Sequence, residues 1–254
     1  GRRNELRDFG NGNQTGKIAM RVGGEDAGDR RIGVGVCGGE QDVLLATRQG
    51  RAMRFPVATV RVFQSRASTG VRGIALAEGD EVISMSLFDS GKGTTTEERE
   101  AYLRQSRALR QSENAAENAP EAGEEEVSPA ATEEPVIAAL SPERFGELQG
   151  KEEFVLTAAS SGFGKRTSAY EFRRTGRGGQ GLLAQDLTKK GKGGRLAASF
   201  PVDEFDVILL GTDQGQLIRP PATPARVIRR TTPAATSRRP PPAAHRAAVQ
   251  RRAG

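Results

Sequence analysis

Short apolar runs punctuated by glycine fill most of the chain. "QDVLLATRQGRAMRFPVATV" (41–60) reads as strand, tight turn and strand, because two runs of strand length flank a turn ending in Gly. "FDVILLGTDQGQLIRP" (205–220) has the same shape, and "EEFVLTAASSGFGKRTSAYEF" (152–172) is a looser copy with a longer turn. A second half-pattern also recurs, in "NQTGKIAMRVGGEDAGDRRIGVGV" (13–36), "ASTGVRGIALAEGDEVISMSLF" (67–88) and "TGRGGQGLLAQDLTKKGKGGRLAASF" (175–200). Each copy runs from a polar stretch through a glycine (Gly16, Gly70, Gly181) into an apolar run, a Gly-rich turn and a closing strand.

The resulting unit is about 45–50 residues carrying four short strands, the scale of a propeller blade. One such sheet cannot bury both faces, so stacked neighbours must supply the core. The expected fold is all-β: a propeller- or pinwheel-like array of about three four-stranded blades, with a partly helical acidic insertion. Blades are expected over 1–88 and 152–218, separated by a linker or insertion at 89–151 and followed by a tail at 219–254. Within the insertion, "TTTEEREAYLRQSRALRQ" (94–111) predicts a marginal surface helix, with Thr95 and Glu98 spaced as a capping box. "SPERFGELQ" (141–149) predicts a turn or two of helix, with Ser141 as N-cap and Pro142 in the first helical position. Residues 112–135 are acidic, low in complexity and Pro-containing, the composition of a disordered segment. The tail is built almost wholly from Arg, Pro, Ala and Thr, lacks strand alternation and is expected to be unstructured, like the product of a shifted reading frame or a natural basic extension.

Charge sharpens this division. Residues 89–153 hold 7 Lys/Arg against 16 Asp/Glu, whereas 219–254 hold 9 Arg and no acid, so the formal net charge of +6 conceals two opposed blocks. A single cysteine, Cys37, allows no intrachain disulfide and no Cys-based metal site, which fits a reducing, cytoplasmic setting. Apolar runs such as Val207 to Leu210 are far too short for a membrane helix. The one histidine, His245, lies in the tail, so neither a nucleophile–His pair nor a His metal site is available. No catalytic residue is expected. Tyr102, in the insertion helix, and Tyr170, in a blade strand, read as packing residues, and Asp80–Glu81 and Asp203–Glu204 as turn residues.

One stretch carries candidate chemistry. "RRTGRGGQGLLAQDL" (173–187) spaces Gly176, Gly178 and Gly181 as G-x-G-x-x-G. A dinucleotide site needs a helix to rise from that turn, and "LLAQDLTKKGKGG" has no amphipathic helix. A structural bend using glycine at positive φ is a second reading. The third is a cradle for polymer phosphates, since Gly-rich backbone N–H groups bind oxyanions and the surroundings are basic. Lys165, Arg166, Arg173, Arg174, Arg177, Lys189 and Lys190 fall in a 165–195 window with nine basic residues and two acids. Basic residues recur at the matching places of the earlier copies: Arg61, Arg66 and Arg72, then Lys17 and Arg21. Stacked blades would align them into one stripe, with Gly178, Gly179, Gln180 and Gly181 forming the cradle.

The phrases "RAMRFPVATVRVFQSRASTGVRGIALAEGDEVISMSLF" and "FGKRTSAYEFRRTGRGGQG" closely resemble the C-terminal domain of the DNA gyrase A protein. The resemblance covers about 1–88 and 152–219. It implies a propeller-like disc with a basic rim around which double-stranded DNA wraps, in a bacterial, nucleoid-associated type II topoisomerase. The implied partners are the rest of gyrase A, as a homodimer, and gyrase B; ATP and Mg2+ would act there, leaving no cofactor in this chain. The family's signature loop is Q-R-R-G-G-K-G, and Thr175 to Gly181 reads T-G-R-G-G-Q-G. Arg177, Gly178, Gly179 and Gly181 match; Thr175, Gly176 and Gln180 depart, removing two positive charges, as in a secondary copy of the loop. The corresponding domain of topoisomerase IV and a repeat scaffold that binds proteins remain as alternative readings.

Overall fold

The computed structural model describes residues 1–10, 16–20, 29–65, 68–89, 93–117, 139–187, 194–212, 215–219, 227 and 244–250. Arg21, Arg66, Lys189 and Lys190, together with the acidic stretch 118–138, lie outside the described residues. The chain forms two compact units, one built from Gly1–Ser90 and Glu153–Gly254, the other from Gly91–Glu152.

The larger unit is made of small antiparallel sheets. Its strands are β1 (Asp42–Thr47), β2 (Arg51–Pro56), β3 (Val82–Phe88), β4 (Phe154–Ala159), β5 (Gly164–Ser168), β6 (Leu182–Leu183), β7 (Leu196–Val202), β8 (Val207–Thr212), β9 (Leu217–Ile218) and β10 (Ala244–Gln250). They assemble in the orders β3-β1-β2-β6, β5-β4-β7 and β10-β8-β9. The repeat is visible in the register. Leu44 faces Arg54 across β1 and β2, and Leu156 faces Arg166 across β4 and β5. The ladders of β1 with β3 and of β4 with β7 shift at the same place, Ala46/Thr47 and Ala158/Ala159.

The first sheet is completed by a strand from the second repeat. β6 pairs with β2, placing Leu182 beside Ala52 and Leu183 beside Arg51. Gly181, just before it, adopts φ +71°, and a Cβ there would lie 2.6 Å from the Ala52 carbonyl oxygen, so only glycine fits. The same exchange occurs one repeat earlier: Gly70 has φ +95° and abuts Gly1, whose carbonyl accepts from Val71 N–H at 2.7 Å. Parallel bridges Arg3–Val62, Arg54–Arg174 and Arg166–Val227 mark successive exchanges.

Stacking supplies the core, as so small a sheet requires. Leu44, Ala46, Ala52 and Phe88 of the first sheet meet Val155, Ala169, Phe172 and Leu196 of the second repeat in one buried cluster. The second sheet's Leu156 and Val202 meet Ile208 of the third. Each such fully buried large side chain contributes about 1.5–3 kcal/mol. Met53, Phe55 and Ile74 form a further cluster on the first repeat, flanked by Val43, Leu45, Val60 and Val82.

Three expectations need correction here. Among the described residues of 13–36 no strand forms; the glycines of "IGVGV" let Gly33 and Gly35 lie against Met85 and Leu87 while Val34 and Val36 stay exposed. The tail is not wholly unstructured: β10 pairs with β8 from Ala244–Thr212 to Gln250–Val207. Backbone groups on the edge of β8 accept any extended partner that can offer its own N–H and C=O. Tyr170 is buried in a 3-10 turn, Ala169–Glu171, and not in a strand.

The smaller unit makes the chain as a whole mixed in class. α1 (Thr96–Glu117) starts at a capping box, with Glu98 N–H donating to Thr95 Oγ1 at 3.2 Å and Thr95 N–H to the Glu98 carboxylate at 2.9 Å. α1 continues through 112–117, which composition had placed in a disordered segment. It is also less marginal than its thin apolar content predicts, for Ala101, Tyr102 and Leu103 are buried. α2 (Pro142–Gly150) has Ser141 as N-cap, accepting from Arg144 N–H at 3.3 Å. Tyr102 stacks on Phe145 with ring centroids 5.0 Å apart and donates to Glu152 at 2.8 Å. Burial first, then the Glu152 charge, raises the Tyr102 pKa, so its hydroxyl keeps its proton.

Candidate nucleic-acid interface

The loop 173–181 lies along the first repeat, held there by backbone bonds. Thr175 N–H donates to the Arg54 carbonyl at 2.9 Å, Gly178 N–H to Gly73 at 2.6 Å, and Ala75 N–H to Gly179 at 2.8 Å. Met53 fills the space under Gly179, where a Cβ would come within 3.2 Å of its methyl group. A shallow recess lined by Arg72, Ile74, Ala75 and Leu76 adjoins it. Because partners are fixed on one side only, the N–H groups of Gly176, Gly179 and Gln180 make no hydrogen bond among the described residues, and all three residues are exposed or half-buried at the surface. Such orphan donors on a Gly-rich turn are what an oxyanion needs.

Arginines neighbour these donors in the chain and across the loop's contacts with the first repeat. Arg72, Arg173 and Arg177 are exposed. Arg177 is laid on the surface, its Nε donating to the Thr59 carbonyl and its Nη1 to the Arg72 carbonyl, each at 3.2 Å. Arg174 is 41 % exposed and its Nε donates to Asp42 Oδ1 at 2.9 Å. The other Asp42 oxygen accepts from Nε of Arg54 at 2.8 Å, with both partners only 2 % exposed, while Arg54 Nη1 donates to the Ala169 carbonyl at 2.7 Å. Burial lowers the Arg54 pKa and the Asp42 charge opposes that shift.

The expected site residues therefore separate. Arg177 reaches the Thr59 and Arg72 carbonyls and Arg174 reaches Asp42, while Gly178, Gly179 and Gly181 lie against the backbone or side chains of the same first repeat. Arg173 and Gln180 are exposed next to them in the chain. Lys165 does not join them: it is 1 % exposed on β5, where strand alternation turns Lys165 and Thr167 inward and Arg166 outward. Arg166 is half-buried and lies 4.8 Å over the Phe154 ring. Lys17 reaches the Asp8 carbonyl at 3.5 Å. Sequence reasoning left two further arginines out of account. Arg51 is exposed and donates to the Gly181 carbonyl at 3.4 Å, and Arg2 shares the Phe63 ring with Arg61, at 5.4 and 4.5 Å. The signal for Arg51 was the exchange register, which places it beside Leu183.

The dinucleotide reading is excluded by the backbone, because Gly181 opens a two-residue strand and no helix. Among the described residues no group of three His, Cys, Asp or Glu could hold a metal ion, and no helix is long and apolar enough to cross a membrane.

Stacked small sheets that exchange edge strands, with an arginine-rich glycine loop at the exchange, define a propeller-type repeat domain. Residues 41–89 and 153–203 match the family described as DNA gyrase C-terminal domain, beta-propeller. The DNA gyrase A protein of Granulibacter bethesdensis is 47% identical over 235 residues, covering 91% of this chain and 24% of that protein. Its Rickettsia bellii counterpart is 40% identical over 233 residues, with the same coverage. The chain thus spans about a quarter of the length of the relatives it matches. A solved C-terminal domain of DNA topoisomerase IV superposes with a TM-score of 0.59 at 15% identity, covering 91% of this chain and 52% of that one. A solved DNA gyrase A C-terminal domain gives 0.57 at 16%, covering 96% and 59%. The chain is a domain related to the C-terminal domains of DNA gyrase and topoisomerase IV.

Proposed function

We propose that this chain is a DNA-wrapping module of a type IIA topoisomerase, of the gyrase A kind, and that the loop 173–181 holds phosphates of duplex DNA. The observation that carries the reading is the set of exposed N–H groups on Gly176, Gly179 and Gln180 without a hydrogen bond among the described residues, in a loop that also carries Arg173, Arg174 and Arg177 and is bonded to the Arg72 carbonyl. Bent along successive repeats, a duplex would meet backbone donors and guanidinium groups and few base-reading contacts, so binding is sequence-independent. Propeller-like blades stacked as in a disc provide the curvature. Chemistry belongs to other parts of the enzyme: the rest of gyrase A as a dimer, gyrase B, ATP and Mg2+, in the bacterial cytoplasm. The topoisomerase IV superposition keeps that paralogous enzyme as the second reading.

Titrating the chain with linear duplexes of unrelated sequence at several salt concentrations tests this. If about six phosphates are neutralised, log K falls against log[salt] with a slope of roughly −5, equal for every duplex. Binding that ignores salt, or no binding at low salt, overturns it.

A further inference from the structure

We propose that Asp42 is a positioning residue that presents Arg174 to a phosphate; this rests on the DNA-binding reading above. Asp42 opens β1 and is buried, with one oxygen engaged by each of two arginines. Arg54 is wholly interior, tied to Asp42 and to the Ala169 carbonyl, and so belongs to the stacking of the first two repeats. Arg174 is different. Only its Nε is engaged, so the guanidinium is held by its inner nitrogen while Nη1 and Nη2 make no hydrogen bond among the described residues. Two parallel donors on one planar group are the geometry that grips a phosphate bidentately. A long side chain fixed in advance also loses less rotamer freedom on binding.

Among the described residues an acid holding two arginines occurs once along the repeats; in the third repeat a buried acid, Asp206, stands at the place of Asp42, and it accepts from Asp203 N–H. At the place of Asp42 the second repeat has Phe154, on whose ring Arg166, the counterpart of Arg54, lies. At the place of Arg174 in the bridges, the neighbouring exchanges carry Val62 and Val227. An acid placed only to balance Arg54 would not need a second arginine drawn in from 132 residues away.

Charge counting alone gives the opposite expectation: deleting a carboxylate beside a cationic edge strengthens DNA binding. A double-mutant cycle on the full chain therefore decides. Asp42→Leu with Arg54→Met replaces the buried pair by apolar groups, and Arg174→Ala is made with and without that replacement, folding being checked by thermal denaturation. We expect Arg174→Ala to weaken duplex binding about 10-fold in the native background and no more than about 2-fold in the replaced one. An equal or larger effect in the replaced background, or tighter binding by that background, overturns the proposal. Should the replaced chain not fold, NMR of the native protein decides. An Arg174 Nε–H signal, identified by its loss in Arg174→Ala, exchanges slowly if Asp42 anchors it; exchange as fast as at exposed Arg173 sinks the idea. A native chain that binds no duplex overturns the functional reading itself, whereas a bound duplex with an uncoupled cycle overturns only the role of Asp42.

Discussion

Gly181 and the Ala52 carbonyl oxygen approach so closely that a methyl group on Gly181 would sit 2.6 Å from it. At this point the second repeat hands its strand to the first sheet, directly after the glycine loop. Fold and candidate site are therefore joined at one residue.

Substitution at that point follows. Gly181→Ala meets a positive φ that costs about 1–3 kcal/mol, and its methyl group meets backbone that cannot swing aside. The expected result is a lower melting temperature together with weaker DNA binding. Gly176 has open space around it, so Gly176→Ala stays within about 0.5 kcal/mol of native stability. Paired thermal melts check this, and equal losses at the two glycines would refute it.

What could be read from the chain depended on the distance over which each feature is decided. The Thr95–Glu98 box and the Ser141–Pro142 start are settled within three or four residues, and both stand in the structure as their spacing implies. Hairpins such as β1–β2 were legible for the same reason. Lys165 was misplaced because composition shows that a strand is basic but not which side meets the neighbouring sheet. The Asp42–Arg174 pair joins residues 132 apart and has no local pattern at all. β10 was invisible because its partner edge selects backbone, not side-chain alternation.

The cap of α1 also gives the smaller unit a pH dependence. Glu98 has its pKa lowered, chiefly by the hydrogen bond from Arg144 and then by the one from Thr95 N–H. A carboxyl depressed in the folded state stabilises fully above its unfolded value, about 4.5, and loses that contribution as pH falls through the lower folded value. Native protein should exceed Glu98→Gln in helical circular dichroism or thermal stability at neutral pH, and the difference should close on acidification below about 4.5. A difference constant across that range would contradict the assignment.

Lys165 and Arg177 were equivalent as letters in a basic stretch, and their surroundings now give them different work. Lys165 is buried, and its ammonium is not without a partner inside, so Lys165→Ala should lower the melting temperature while leaving the salt slope of DNA binding unchanged. Arg177 is exposed at the loop, held by two carbonyls that engage Nε and Nη1 and leave Nη2 for a phosphate. Arg177→Ala should reduce the slope of log K against log[salt] by roughly 0.9, for one phosphate no longer neutralised, equally for every duplex sequence. Its stability cost should stay near about 1 kcal/mol, the worth of ordinary surface hydrogen bonds. Salt titrations and melts of the two variants side by side measure both quantities. A slope change at Lys165 without one at Arg177 would mean that DNA approaches some other face of the repeats.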